Sequence, residues 1–166
     1  MNVEKKYILD KETAARKIKR LAYEIAERNY DTQLVYLAAI TQSGMAVAHL
    51  LIKELKEISN LYITLIEVSL DKKNPADVVL SLNTDFTGQT ILLVDDVSNS
   101  GQTMLYALRP FLQYHPRKIQ TLALVERTHK TFPVNIDYVG MSVATTVEEH
   151  IYVEFERGEI SGAYMY

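Results

Sequence analysis

Cysteine is absent from this 166-residue chain. That excludes a disulfide framework, a thiolate zinc site and a cysteine nucleophile, whichever compartment the protein occupies. An excess of cations is absent too: 18 Lys+Arg stand against 21 Asp+Glu, for a formal net charge of -3. The molecule as a whole is therefore no electrostatic sponge for nucleic acid, although a local basic patch stays open. Long apolar runs are missing as well. Met1 to Asp10 mixes charged and apolar residues, so neither a signal peptide nor a membrane span is expected. Repeats, low-complexity tracts and linker-like stretches do not occur, and the 4 His show no metal-site spacing. What is there is 48% hydrophobic and 23% charged, too apolar for a disordered chain. Its length suits one domain over 1–166 with a single core, and a cytoplasmic protein without a membrane partner is the simplest reading.

The pattern along the chain alternates strand and helix. Asp10 can cap a helix from about Glu12 to Asn29, in which Ala15, Ile18, Leu21, Ala22 and Ile25 recur at helical steps and the other face is cationic. Leu34 to Ile40 reads as a buried strand, Thr41 to Gly44 as a turn, and Met45 to Ile58 as a helix. Tyr62 to Leu70 is a second strand, and the charged segment Asp71 to Asp77, with Asn74-Pro75, is expected to be a mobile loop. Val78 to Leu82 reads as a return strand, and Thr90 to Asp96 as the most strand-like run in the chain. A helix is expected from about Gln102 to Gln113, then strands over Ile119 to Val125 and Ile136 to Gly140. Ile151 to Phe155 could form an edge strand followed by a tail. Such alternation implies right-handed βαβ crossovers. The expected fold class is α/β, a three-layer sandwich whose mainly parallel central sheet carries helices on both faces.

The informative segment is Ile91-Leu92-Leu93-Val94-Asp95-Asp96-Val97-Ser98-Asn99-Ser100-Gly101-Gln102-Thr103. A buried strand ends in two carboxylates, and a loop of small hydroxyl and amide residues then opens directly into a helix. In an open α/β sheet, ligands bind beyond the carboxyl ends of the strands, which is where this acidic pair falls. Backbone N–H groups behind it make an anion cradle, with Gly101 permitting close approach and the Ser98, Ser100 and Thr103 hydroxyls nearby. Carboxylates beside a phosphate cradle suit a sugar phosphate, because acids accept hydrogen bonds from ribose hydroxyls. A bland strand-end turn followed by a helix cap is the alternative, and the joint pattern argues against it. The segment is not a Walker P-loop: the required Lys is missing and the acids precede the loop.

At these residues the sequence resembles the type I phosphoribosyltransferases, whose signature is an apolar strand, two acids, a few variable positions and Thr/Ser-Gly-x-Thr. The resemblance extends to the branch of pyrimidine operon attenuation regulators that are also uracil phosphoribosyltransferases. It is carried there by Arg20-Leu21-Ala22-Tyr23-Glu24-Ile25, Ile63-Thr64-Leu65, Val125-Glu126-Arg127-Thr128-His129-Lys130, Pro133 and Asp137-Tyr138-Val139-Gly140. The resemblance implies a small hood element on the fold, and transfer of phosphoribose from 5-phosphoribosyl-1-pyrophosphate (PRPP), with Mg2+, to a nucleobase. It implies that Asp95 and Asp96 hold the ribose hydroxyls near the magnesium carried by PRPP, and that Ser98, Asn99, Ser100, Gly101, Gln102 and Thr103 cradle the 5-phosphate. Thr41, Gln42, Ser43 and Gly44 would form the pyrophosphate loop. Asp71 to Asp77 would be a lid, with Lys72 and Lys73 as its catalytic cations. Tyr138, Val139, Gly140 and Met141 would lie near the base, and the protein would be a homodimer or higher homo-oligomer.

The departures from the family pattern carry information. Relatives usually place Arg or Lys where this chain has Ser43, and Arg in the lid, where Lys does not reproduce a bidentate grip. Asn99 stands where purine-type members usually have an acid, and Asn cannot exchange a proton with a purine, which argues against purine salvage and leaves a pyrimidine such as uracil, or no acceptor, open. RNA binding would use Arg16, Lys17, Lys19 and Arg20 with Arg127, His129 and Lys130. Tyr23 replaces a usual His there and Thr128 a usual Gly, and the net charge is acidic, so a solvated face is favoured. The other expected function is a catalytically weak sensor of PRPP or nucleotide that regulates pyrimidine genes through RNA or a protein partner. His49 is expected to pack in a core or interface, and Tyr164-Met165-Tyr166 to dock against a subunit or the core.

Overall fold

The structure is a computed structural model that describes residues 4–166. A short strand, β1 (Lys6–Asp10), runs straight into α1 (Lys11–Arg28), where the Asp10 carboxylate accepts the Thr13 N–H at 2.7 Å. That satisfies one of the orphan donors at the helix start. α1 buries Ala14, Ile18, Leu21, Ala22 and Ile25; Ala14 takes the inward place expected of Ala15, which is exposed.

β2 (Leu34–Ile40) leads into α2 (Thr41–Ile58) with no intervening turn, so Thr41 to Gly44 form the first turn of the helix itself. The reason is packing. A Cβ on Gly44 would stand 2.6 Å from the Val94 carbonyl oxygen, so only glycine lets the helix start this close to the next strand. Thr41 absorbs the change of direction at φ 56°, a left-handed conformation that a β-branched residue adopts at a cost of roughly 1–2 kcal/mol.

β3 (Tyr62–Asp71) and β4 (Asn74–Leu80) form an antiparallel hairpin over much of the segment expected to be a loop. The Asp71 carboxylate accepts the Lys73 N–H at 2.9 Å and closes the turn. Pro75 is accommodated because β4 is an edge strand. β5 (Thr90–Ser98) is buried along its whole length. α3 (Gln102–Leu108) stops earlier than expected, since Pro110 lacks an N–H and the chain tightens into a 3₁₀ turn over Arg109–Phe111. β6 (Lys118–Arg127) and β7 (Tyr138–Val143) complete the sheet, and β7 begins two residues later than its apolar run suggested.

The six-stranded sheet has the order β4-β3-β2-β5-β6-β7, parallel except for β4. α1 and α2 cover one face, while α3 with Phe86 and Phe111 covers the other. The expected tail is instead a hairpin, β8 (Ile151–Glu156) with β9 (Glu159–Met165), which pairs with β1 in a second sheet of order β1-β9-β8. This small sheet is the hood, packed by Leu9, Ile151, Ile160, Ala163 and Met165 onto the α1 and α2 side of the core. Met165 is buried in it, as a docking strip against the protein's own core requires, and Tyr164 and Tyr166 stack with Tyr152 on the outside. His49 is exposed on α2, contrary to a core role. No helix among the described residues is long and apolar enough to cross a membrane.

Candidate active site

β5 occupies the middle of the sheet and carries Asp95 and Asp96, which are 1% and 9% exposed, near its carboxyl end. Two carboxylates this deep need compensation, and the hairpin supplies it. From the β3–β4 turn, Lys72 Nζ donates to the Asp95 oxygens at 3.2 and 3.3 Å and lies 3.6 Å from Asp96 Oδ1. The Asp96 N–H donates to Asp95 Oδ1 at 2.9 Å, and the Ser43 hydroxyl donates to Asp96 Oδ1 at 3.1 Å. Thr41 and Ser43 share a hydroxyl contact of 3.3 Å, so the first turn of α2 is wired to the acids.

Burial, and then the neighbouring Asp96 carboxylate, push the Asp95 carboxyl well above the usual range, against the pull of Lys72. For Lys72, burial works downward, but the Asp95 and Asp96 charges more than offset it and its pKa is raised. Lys72 is thus an ammonium held between the acids. Lys73 is exposed and donates its backbone N–H within the turn.

A cleft of about 70 Å³ opens beside Asp95, lined by Lys72, Val97, Ser98, Asn99, Ser100, Gly101, Thr103 and Met104. The Ser98 hydroxyl and the Asn99 side-chain amide oxygen (Oδ1) are buried without a hydrogen-bond partner, polar capacity a ligand can use. Gly101 has φ 87°, and a Cβ there would meet the Val134 side chain at 2.8 Å, so the loop requires glycine. Gln102 donates its N–H to the Ser100 hydroxyl at 3.2 Å and is not among the residues lining the cleft. The connection after β6 clamps this loop: the Thr131 and Phe132 N–H groups both donate to the Ser100 carbonyl at 3.1 Å. A separate cavity of about 130 Å³ lies away from the acids, between α1, α2 and β9, and is floored by Ala15, Ile18, Leu50 and Ile160.

The remaining candidates distribute unevenly. Tyr138 is fully buried, accepts from the Asn29 amide at 3.2 Å and has the Arg28 guanidinium 4.8 Å over its ring, so it offers no surface to a base. Val139 and Gly140 lend their carbonyls to Arg20 at 3.1 and 2.7 Å. Only Met141 onward approaches the carboxyl end of the sheet, where it pairs with Val125. Among the basic residues considered for RNA, Arg16 pairs with Glu12, Arg20 with Glu24 and Lys130 with Glu126, while Arg127 is buried and donates to the Thr146 carbonyl at 2.8 Å. Glu126 and Ser142 share a register row with Ser98, a relation no sequence motif announces.

The chain matches the phosphoribosyl transferase domain over residues 5–156. It is 34% identical over 155 residues to the Bifunctional protein PyrR of Streptococcus pneumoniae, covering 90% of this chain and 89% of that protein. In fold it resembles the hypoxanthine phosphoribosyltransferase of Trypanosoma cruzi, with a TM-score of 0.78 and 17% identity over 95% of each chain. The hypoxanthine-guanine phosphoribosyltransferase of Bacillus anthracis aligns with a TM-score of 0.71 and 20% identity over 85% of this chain and 84% of that one. The acidic strand end, the glycine-turned loop behind it and the hood together have one family explanation: the chain belongs to the phosphoribosyl transferase domain family, on the PyrR branch, and is a pentosyl-transferring enzyme.

Proposed function

We propose that the protein transfers the phosphoribosyl group of PRPP to a pyrimidine base, uracil foremost, and releases pyrophosphate. The observation that carries this reading is the Asp95–Asp96 pair beside a loop whose buried Ser98 hydroxyl, a hydrogen-bond donor, lacks a partner. In the reaction the anomeric carbon loses its bond to a pyrophosphate oxygen and gains one to a ring nitrogen, whose proton leaves to solvent. Positive charge grows on the ribose and negative charge on the leaving group. Asp95 and Asp96 orient the ribose hydroxyls and sit where they temper the developing positive charge. Residues 98–103 hold the 5-phosphate. The first turn of α2, Thr41 to Gly44, faces the pyrophosphate, with Ser43 tethering Asp96 in place of the cation that relatives carry there.

The donor set also fits a hard divalent cation. Mg2+ is typically bound by one or two carboxylates together with substrate phosphates, and Asp95 and Asp96 are such carboxylates. When bound, magnesium neutralises pyrophosphate charge. Lys72, released from Asp95 and Asp96, would supply the nearest protein cation to the leaving group. Asn99, uncharged, favours a pyrimidine over a purine acceptor.

Pyrophosphate release from PRPP tests this reading directly. Uracil and magnesium should both be required, and Lys72→Met should lower kcat by about 10–100-fold, the scale of losing one charged transition-state contact. Binding of PRPP with no turnover of any base in a broad panel would instead leave the protein as a sensor.

A further inference from the structure

The acid pair is served by one cation. Lys72 Nζ lies 3.2 and 3.3 Å from the two Asp95 oxygens and 3.6 Å from Asp96 Oδ1, so it stands where three carboxylate oxygens converge. Among the described residues no other lysine or arginine forms an ion pair with either acid. The first turn of α2 offers Ser43 instead, whose hydroxyl reaches Asp96 Oδ1 at 3.1 Å without adding charge. Nor do the described residues gather a third acid or a histidine with the pair into a group that could hold a metal by itself.

Those oxygens are also the ones a hard divalent cation would take. Mg2+ dehydrates reluctantly and usually relies on substrate phosphates beside one or two carboxylates, so without such phosphates two carboxylates are a weak site. A tethered ammonium competes well for them, because the chain holds it at a high effective concentration. The tether is short: Lys72 belongs to the two-residue turn between β3 and β4, where Asp71 is in register with Asn74. Ammonium and divalent ion exclude each other there, since like charges in contact beside buried acids repel with little screening. The Lys72 side chain is 40% exposed and that of Asp95 only 2%, so the ammonium has a path to water and the acid has none. This competition rests on the reading of Asp95 and Asp96 as metal-facing carboxylates under Proposed function.

We infer that Lys72 is the resident cation of this site before PRPP binds: its ammonium holds the place of the divalent ion, and the metal gains Asp95 and Asp96 only together with the phosphate oxygens of PRPP. The hairpin thereby keeps the acid pair partly neutralised and closed to free cations. By linkage, the metal alone should bind better to a protein that lacks the Lys72 charge, and PRPP should raise the affinity for the metal less in that protein than in wild type.

Titration of the whole protein with Mn2+ in the absence of PRPP, followed by loss of the free-ion EPR signal, tests this without relying on turnover; Mn2+ suits the same oxygen ligands as Mg2+. Lys72→Met should bind Mn2+ about 10–100-fold more tightly than wild type, the scale on which an ion pair with a buried partner alters a binding constant. Lys72→Gln, which removes the charge but keeps an N–H donor for Asp95, should show a gain of the same sign and serves if the methionine variant fails to fold. Lys73→Met removes an equal charge from the same turn without touching the acids and should stay at the wild-type value. Equal Mn2+ affinity in wild type and the neutral Lys72 variants overturns the inference, as does an equal gain in Lys73→Met, which would reduce the effect to general charge. A parallel titration of wild type with PRPP and Mg2+ separates the two readings. Binding there beside unchanged Mn2+ affinity in the Lys72 variants refutes the inference alone, whereas no binding of PRPP refutes the phosphoribosyl site and the inference falls with it.

Discussion

Asp95 is the residue on which fold and function make opposite demands. Its carboxyl is buried and pushed well above the usual range, so in the absence of ligand its charge burdens the folded state. With the folded pKa above the unfolded one, its stabilising contribution is complete below the unfolded value, near pH 3.9, and is lost as pH rises through the raised folded value. Asp95→Asn should therefore melt at or above wild type at pH 7.5 in EDTA, by on the order of 2–4 °C, with the gap closing as pH falls. The same substitution, alone or with Asp96→Asn, should weaken PRPP binding by about 100-fold or more. Parallel losses of melting temperature and binding would mark the acids as structural. The strand end, acid pair and small-residue loop were readable from consecutive residues because backbone geometry fixes where such residues point. The resemblance offered Lys72 as a lid cation, but its pairing with Asp95, 23 residues downstream, was not readable.

At the scale of elements, close approach of backbones sets the site. Gly44 places the first turn of α2 against β5, and a methyl group there would meet the Val94 carbonyl at 2.6 Å, a backbone atom that cannot turn aside. Gly44→Ala should cost about 1–3 kcal/mol in urea unfolding and reduce PRPP affinity together with stability, because the strained turn carries Ser43. A neutral outcome would show that α2 can slide along the sheet. The sequence did not reveal this contact, and it read Asp71 to Asp77, the tip of the β3–β4 hairpin, as a loop because Asp, Lys, Asn and Pro there are common in loops. The Asx turn at Asp71 and the edge position of β4 reconcile those residues with strand structure. The hood was only partly legible: β1 is five residues long and takes its meaning from pairing with β9 at the far end of the chain. No local periodicity reports a partner that distant.

Across the whole molecule, the acidic balance has a structural counterpart. Of the cations considered for nucleic acid, Arg16 and Arg20 lie in i,i+4 pairs, Lys130 on Glu126 and Arg127 under a loop, while Lys17 and Lys19 stay on the surface of α1. Fluorescence anisotropy with labelled single-stranded RNA at 150 mM salt should show no binding tighter than about 10⁻⁵ M, in line with weak non-specific association. A UMP-dependent shift at nanomolar protein would make the regulatory reading the principal one.

The position of Lys72 also bears on how fast a ligand gains the site. Its Cα sits in a two-residue turn between paired strands, so the ammonium can leave the acids by rotation of its own side chain while the hairpin stays zipped. Exposed rotamer changes take picoseconds to nanoseconds, far shorter than the microsecond motions of swinging loops. If side-chain rotation of Lys72 alone opens the site, stopped-flow association rates with PRPP should rise linearly with ligand concentration, whereas a plateau would mark a slower opening step.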